Sequence, residues 1–522
     1  MTSDSATLQP DSCYLAMKAR DARFDGCFFT GVTSTGIYCR PVCKVRTPRR
    51  ENCRFFAHAA QAEQAGFRPC LRCRPELAPN SLRWSIQDAS SMLARQAVRL
   101  LDEPDAWRAG VPVLAQLAAR LGVSDRHVRR IFEAEFGVSP VQYLQTRRLL
   151  TAKQLLADTD LPVTQVALIS GYSSVRRFNA AFAGHYGLNP TQLRRHGSER
   201  GDDGICVKLG YRPPYDVDAM LAFFRKRQID AVESIPPERR CMARSFAVDS
   251  AGEHFSGWLA VEFLPDQHQV LLRLSDSLGG ALPLVIRRVR AWLDLDADPA
   301  SINAVLHERF PQGDGLRVPG SMSGHELAVR AVLGQQITVA AARTLAQRLV
   351  DRFGDPVLTP WPQIVRLFPS PAALAAGGGD ALGQLGIVKQ RQAAIIALSQ
   401  AVADRRLELH AGADVQSTIA ALQALPGIGE WTAQYIAMRA LRWPDAFPAG
   451  DVALQKALDV TAAKNPSREA EATSQAWKPW RSYAVIRAWS APASPAPARR
   501  PPMRSVRRRI AAETLSVPGV RP

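Results

Sequence analysis

Residues 424–441, ALPGIGEWTAQYIAMRAL, set a proline and two glycines between two stretches of helical pattern. Leu425-Pro426-Gly427-Ile428-Gly429 cannot continue a helix, because proline lacks the N–H and glycine opens the backbone. Two positions without Cβ let the N–H groups of the loop come close to a phosphate. This reads as a helix-hairpin-helix, an anchor for a nucleic-acid backbone that ignores base sequence. A plain glycine-rich connection between helices is the alternative.

Outward from the hairpin, DAFPAGDVALQKAL (445–458) places Asp451 22 residues beyond Gly429, at the expected start of a helix. Taken alone, an aspartate there is most often an N-cap. Residues 301–489 are helical in pattern, as in GHELAVRAVLGQQITVAAARTLAQRLVDRF. Residues 205–300 mix a helix-like run, VDAMLAFFRKRQ, with the strand-like alternation of FSGWLAVEFLP and HQVLLRLS, so this block is α+β.

The chain has 522 residues, too many for one ordinary core, and a net charge of +18. Residues 1–200 carry 28 Lys and Arg against 17 Asp and Glu, a net of +11, so a polyanionic partner is expected on that half. The end, 490–522, is rich in Ala, Pro, Ser and Arg and is expected to be a disordered basic tail. No apolar run is long enough to span a bilayer, and MTSDSATLQPD does not read as a secretory leader. A cytoplasmic, nucleoid-associated protein with no membrane partner is expected.

Seven of the nine cysteines fall in residues 1–78. Cys39-x3-Cys43, then 26 residues, then Cys70-x2-Cys73 gives two pairs, each spaced to reach one ion. Four thiolates fit zinc or iron. The remaining cysteines are unpaired in spacing and read as buried thiols.

The stretch FFTGVTSTGIYCRPVCKVRTPRRENCRFFAHAAQAEQAGFRPCLRCRPE (28–76) resembles the N-terminal domain of the Ada family, regulators of the response to DNA alkylation. The resemblance implies a small α/β zinc domain in which Cys39, Cys43, Cys70 and Cys73 hold the metal. It also implies that Cys39 accepts a methyl group from a methylphosphotriester in DNA. Loss of one thiolate charge on methylation is expected to weaken repulsion from DNA and switch on promoter binding.

Residues 82–197 hold a repeated shape. VPVLAQLAARLGVSDRHVRRIFEAEFG and LPVTQVALISGYSSVRRFNAAFAGHYG each read as helix, glycine turn and second helix, with Gly122 and Gly171 at the turns. Arg129, Arg130, Arg176 and Arg177 stand on the second helices, as DNA contacts or as a solvated face. The whole segment resembles the AraC-type DNA-binding domain, which implies two successive major-groove contacts and RNA polymerase as a partner.

The C-terminal half, 205–489, resembles the helix-hairpin-helix DNA glycosylases, and more narrowly the AlkA-type 3-methyladenine DNA glycosylase II enzymes. The similarity includes VRAVLGQQITVAAA (329–342) and WKPWRSYAVIRAW (477–489). It implies Asp451 as the catalytic carboxylate, with Trp431, Tyr435, Trp489 and Gln335 at the base pocket. It implies Pro426, Gly427, Ile428 and Gly429 on the DNA backbone, with a monovalent cation at the hairpin when DNA is bound. Trp431 occupies the place of the Schiff-base lysine of bifunctional relatives, so a monofunctional N-glycosidase is expected. No cysteine follows Cys241, which excludes a C-terminal iron–sulfur cluster, and the PCHR methyl-acceptor motif of O6-alkylguanine transferases is absent. Gly450 stands where AlkA has a second acid, and Gln336 where AlkA has a leucine wedge.

The expected chain is multidomain and mainly α with α+β parts: 1–78 zinc and methyl-acceptor domain, 82–197 helix-turn-helix domain, 205–300 α+β domain, 301–489 glycosylase domain, and the tail. The leading function is hydrolysis of N-glycosidic bonds of alkylated purines by an enzyme fused to a damage-sensing activator. One alternative is a regulator whose glycosylase half only binds DNA; another keeps the glycosylase and makes the zinc block purely structural.

Overall fold

A computed structural model describes residues 9–80, 89–102, 113–194, 204–250 and 252–490. Most of the expected linker at 197–204 and all of the expected tail but Ser490 lie outside the described residues.

The first block holds α1 (Pro10–Ala19), β1 (Phe29–Val32), β2 (Ile37–Cys39), β3 (Cys53–Phe56), α2 (Ala59–Gln64) and β4 (Arg68–Pro69). Its sheet runs β3-β1-β2-β4. β4 lies parallel to β2, with Ile37 opposite Arg68 and Tyr38 opposite Pro69. The next residues in register are Cys39 and Cys70, so strand pairing closes the long gap between the two cysteine pairs.

Helices α3 (Ala89–Leu101), α4 (Val113–Leu121), α5 (Asp125–Phe136), α6 (Pro140–Asp158), α7 (Val163–Ile169), α8 (Val175–Tyr186) and α9 (Pro190–Arg194) follow. Ser124 and Ser174 cap α5 and α8, and Ser139 with Gln142 forms a capping box on α6. The turn glycines take left-handed backbone, φ 67° at Gly122 and 83° at Gly171, which side chains disfavour.

The third block has β5 (Ile205–Gly210), α10 (Val217–Arg225), β6 (Glu233–Ser234), β7 (Cys241–Ser250), β8 (Glu253–Leu264) and β9 (Gln269–Leu274). These strands form one antiparallel sheet in the order β5-β9-β8-β7-β6. Then come α11 (Leu282–Trp292), α12 (Pro299–Leu306), α13 (Gly324–Leu333), α14 (Val339–Phe353), α15 (Pro371–Ala376) and α16 (Gly378–Gln384). The last helices are α17 (Lys389–Ala403), α18 (Val415–Gln423), α19 (Glu430–Arg439), α20 (Val452–Ala457), α21 (Pro466–Ser474) and α22 (Arg481–Ser490). The long helical run read at 324–353 is divided: Gln336 turns left-handed at φ 54° and Thr338 caps a new helix.

The core does not divide where the sequence pattern does. Leu149, Phe178 and Phe182 of the helix-turn-helix block share one apolar cluster with Val207, Val261 and Leu272 of the five-stranded sheet. Arg212, fully buried, donates to the carbonyls of Asp25, Pro79, Asn80, Asp296 and Ala297, and so ties the first block, its exit loop and the third block together. Asp158 accepts from the Arg74 guanidinium on one side and from the Lys208 N–H (3.3 Å) on the other.

Candidate functional site

The sulfurs of Cys39, Cys43, Cys70 and Cys73 all lie within 4.8 Å of one another. A tetrahedral zinc with bonds of about 2.3 Å holds its sulfurs roughly 3.8 Å apart, so the set fits the ion. Hydrogen bonds among the sulfurs push the Cys39 thiol up, that with Cys43 foremost, and hold the Cys70 thiol down, that with Cys39 foremost. A cation is what lets all four ionise together. The Arg40 N–H donates to the Cys73 sulfur at 3.3 Å.

The zinc block is wired to the helices behind it. Arg40, next to the Cys39 ligand, is buried and pairs with Asp25, and it also donates to the Cys73 carbonyl at 2.9 Å. Lys153 of α6 is buried against Glu76, which burial drives upward but Lys153 and Arg74 hold below the usual carboxylate range. Glu63 of α2 accepts from Tyr38 (2.9 Å) and from Thr146 of α6. Arg129, Arg130, Arg176 and Arg177 are all exposed on α5 and α8, facing away from these contacts.

In the C-terminal half, the hairpin joins α18 to α19. Gly427 takes φ 72°, and a Cβ on Gly429 would meet nothing within 4 Å. Gly429 is the N-cap of α19 and offers no side-chain cap, so the backbone there stands open to a ligand. Ile428 is buried and holds the loop to the core, while Pro426 is exposed before the turn.

Asp451 caps α20, as its sequence position suggests, through Leu454 N–H at 2.7 Å. Two indoles grip the same carboxylate: Trp431 Nε1 donates to Oδ2 at 2.9 Å and Trp489 Nε1 to Oδ1 at 3.0 Å. Trp431 stacks on Tyr435 one helical turn on, with centroids 5.2 Å apart and planes 12° apart, and Tyr435 lies 6.3 Å from Trp489. Asp451 and these three rings line a cavity of about 760 Å³.

The structure does not bring Gln335 to that cavity. Its amide instead donates to the Gly427 carbonyl at 2.9 Å and to Thr432 Oγ1 at 3.0 Å, behind the hairpin. Residues the sequence reading missed complete the wall: Phe223 and Arg227 near the end of α10, with Arg439 of α19. Arg227 and Arg439 sit over the Phe223 ring at 3.7 and 4.8 Å from its centroid. Burial would raise the Tyr435 phenol, but Arg439 and Arg227 more than reverse that and lower it. The Phe-x3-Arg spacing in VDAMLAFFRKRQ was the available signal, since residues four apart share a helix face. Lys226 is exposed and also borders the cavity. Gly450 is exposed, and the Gln336 side chain is presented to solvent.

Four family models match the chain. They are the metal binding domain of Ada over residues 12–76, a helix-turn-helix domain over 117–196, the AlkA N-terminal domain over 206–323, and the HhH-GPD superfamily base excision DNA repair protein over 329–482. Among curated relatives, a probable bifunctional transcriptional activator/DNA repair enzyme AlkA of Mycobacterium tuberculosis is 36% identical over 494 residues, covering 92% of this chain and 96% of that protein. DNA-3-methyladenine glycosylase 2 of Escherichia coli is 34% identical over 283 residues, 54% of this chain and 95% of that protein. The bifunctional transcriptional activator/DNA repair enzyme Ada of Escherichia coli is 34% identical over 193 residues, 37% of this chain and 51% of that protein. Because the first of these matches runs across nearly the whole of both proteins, the chain belongs to the bifunctional Ada/AlkA family of transcriptional activator and DNA repair proteins.

Proposed function

We propose that the C-terminal half is a DNA-3-methyladenine glycosylase II, with Asp451 as its catalytic carboxylate, and that the N-terminal half is a methylphosphotriester sensor and transcription activator with Cys39 as methyl acceptor. The observation that carries the first part is the Asp451 carboxylate, fixed by three N–H donors at the edge of an aromatic cavity beside an open hairpin.

Alkylation at a ring nitrogen makes the purine cationic and weakens its glycosidic bond. Aromatic faces attract that cation once the nucleotide is extruded. As C1′–N breaks, the bonding electrons leave with the base and positive charge grows on the sugar. Asp451, oriented by its three donors, stabilises that charge and directs water to C1′, taking up its proton. Trp431 offers no amine for a Schiff base, which supports a monofunctional N-glycosidase.

At the other end, bound zinc keeps the four sulfurs deprotonated at neutral pH. The Cys39 sulfur attacks the methyl carbon: S–C forms, C–O breaks, and the phosphodiester leaves as an anion. RNA polymerase is the partner this activator reading implies, and double-stranded DNA is bound by both halves. The open turn at Gly427–Gly429 would hold a monovalent cation, which would supply positive charge toward a phosphate.

Release of 3-methyladenine from methylated DNA by wild type and by Asp451→Asn tests the reading. Excision by wild type with loss of at least about a hundredfold in the variant is expected. Equal release by both would remove Asp451 from its role, and none by wild type would leave only a DNA-binding module. Absence of a borohydride-trapped covalent adduct checks the monofunctional assignment, and trapping abolished by Lys226→Ala would overturn it.

A further inference from the structure

Trp489 stands in the last turn of α22, and its indole donates to Asp451 Oδ1 at 3.0 Å. The last turn of a helix leaves carbonyls without partners inside the helix and is the part most prone to fray. Here Arg487 ties it down. Its buried guanidinium donates to Asn303 Oδ1 at 2.5 Å and pairs with Asp314 Oδ1 at 3.4 Å. Asn303 lies on α12, and its amide donates in turn to the Asp314 carbonyl at 3.4 Å. The other Asp314 oxygen pairs with His307 at 2.9 Å.

Packing does not require an arginine at this position. The side chain is 1% exposed, burial works against its charge, and its Nε has no hydrogen-bond partner. A buried pair of this kind adds little stability over an apolar side chain of similar volume. The chain nevertheless makes room for it: a Cβ on Gly313 would lie 2.6 Å from Arg487 Cγ and 2.8 Å from Cδ. What a directional group supplies, and an apolar one does not, is register. Residues two apart on a helix point about 200° apart, so Arg487 and Trp489 leave α22 on opposite sides. Trp489 lines the cavity together with Ile486, three residues earlier on the same side, and Arg487 faces away toward α12. At the other end of α22, Arg481 pairs with Asp445 at 2.7 and 2.9 Å, so the helix is held at both ends.

We propose that Arg487 is a positioning residue: by tying the last turn of α22 to Asn303 and Asp314, it sets the angle at which the Trp489 N–H meets the Asp451 carboxylate. Arg487 itself does not line the cavity. Without the tie the last turn is free to rotate, and the indole N–H leaves Oδ1 while its ring stays in the wall. Asp451 then keeps the Trp431 and Leu454 donors and loses the third. The carboxylate spends less time in the orientation that serves the reacting carbon, while binding of the base, which rests on the rings, is spared. The inference rests on the glycosylase reading above.

The test uses the full-length protein and steady-state release of 3-methyladenine from methylated DNA. Arg487→Met is expected to lower kcat about tenfold and to leave KM within about twofold of wild type. Asn303→Ala, a milder change at a half-buried side chain, should lower kcat about threefold in the same way. In a Trp489→Phe background, which has no indole donor left to aim, each of these changes should cost less than about twofold. If Arg487→Met does not fold, Asn303→Ala in the two backgrounds carries the test. An unchanged kcat, a rise in KM as large as the fall in kcat, or losses that multiply with Trp489→Phe would overturn the positioning role. Wild type without excision, or Asp451→Asn as active as wild type, would instead sink the glycosylase reading.

Discussion

The indole N–H of Trp431 donates to Asp451 Oδ2 at 2.9 Å, joining two residues 20 positions apart on helices that meet at the cavity. The ring that forms one wall thus also aims the carboxylate. Trp431→Phe keeps a ring and removes the donor. It is expected to lower kcat about tenfold with little change in KM, because the bond matters most as charge develops on the sugar. Steady-state excision kinetics separates this from a packing defect, which would raise KM as well.

Metal content gives the second test. Purified protein should contain one zinc per chain by elemental analysis, and Cys70→Ser should contain none. Wild type exposed to DNA with methylphosphotriesters should gain the mass of a single methyl group on the peptide containing Cys39. A methyl found on Cys43 or Cys73 instead would overturn the assignment of the nucleophile.

Arg212 is a third point of leverage. Its guanidinium satisfies five carbonyls from three segments and is wholly buried. Arg212→Met leaves those acceptors unpaired and should destabilise the protein by about 3 kcal/mol. Calorimetry should then show the sensor and glycosylase halves melting as two transitions where wild type shows one.

Acid should weaken the fold through His325. Burial pulls this imidazole down to about 4 from 6.5, and it shares a 2.9 Å hydrogen bond with Ser399. Between those values the unfolded chain binds the proton and the native chain does not. The stability due to the neutral ring is therefore complete above pH 6.5 and is lost as pH falls to 4. Over that window wild type should lose about 3 kcal/mol more than His325→Gln, in urea unfolding at each pH.

The exposed arginines of α5 and α8 provide the last test. Replacing Arg129, Arg130, Arg176 or Arg177 singly by Ala should weaken promoter binding and reduce its salt slope by about one where a phosphate contact is lost. Excision by the C-terminal half should be unchanged. A parallel fall in excision would mean that these arginines also hold the damaged duplex.

Much of this was legible locally. The helix cap at Asp451 follows from short-range backbone chemistry, and the structure has it. The cysteine spacing indicated a metal, because two ligands a turn apart reach one ion wherever the domain lies. The break after Gly334 was not read from the sequence, where 324–353 stands as helical throughout; the Gln335 clamp on the hairpin and the Thr338 cap flank the left-handed residue. Phe223 and Arg227 were missed for a related reason: their spacing puts them on one side of the chain, but it does not say that this side meets the cavity.

The sequence by itself determined the kinds of parts: a four-thiol centre, two helix-turn-helix units, a glycine hairpin and an aspartate at a helix start. Each depends on interactions within a few residues or on the identity of a ligand atom. Tertiary structure alone decided how the parts meet. It placed two indoles on one carboxylate, took Gln335 to the hairpin instead of the cavity, and merged the second helix-turn-helix unit with the five-stranded sheet in one core. Such contacts join residues far apart in the chain, and burial of apolar surface has no direction along the sequence, so the local pattern carries no record of which faces pair.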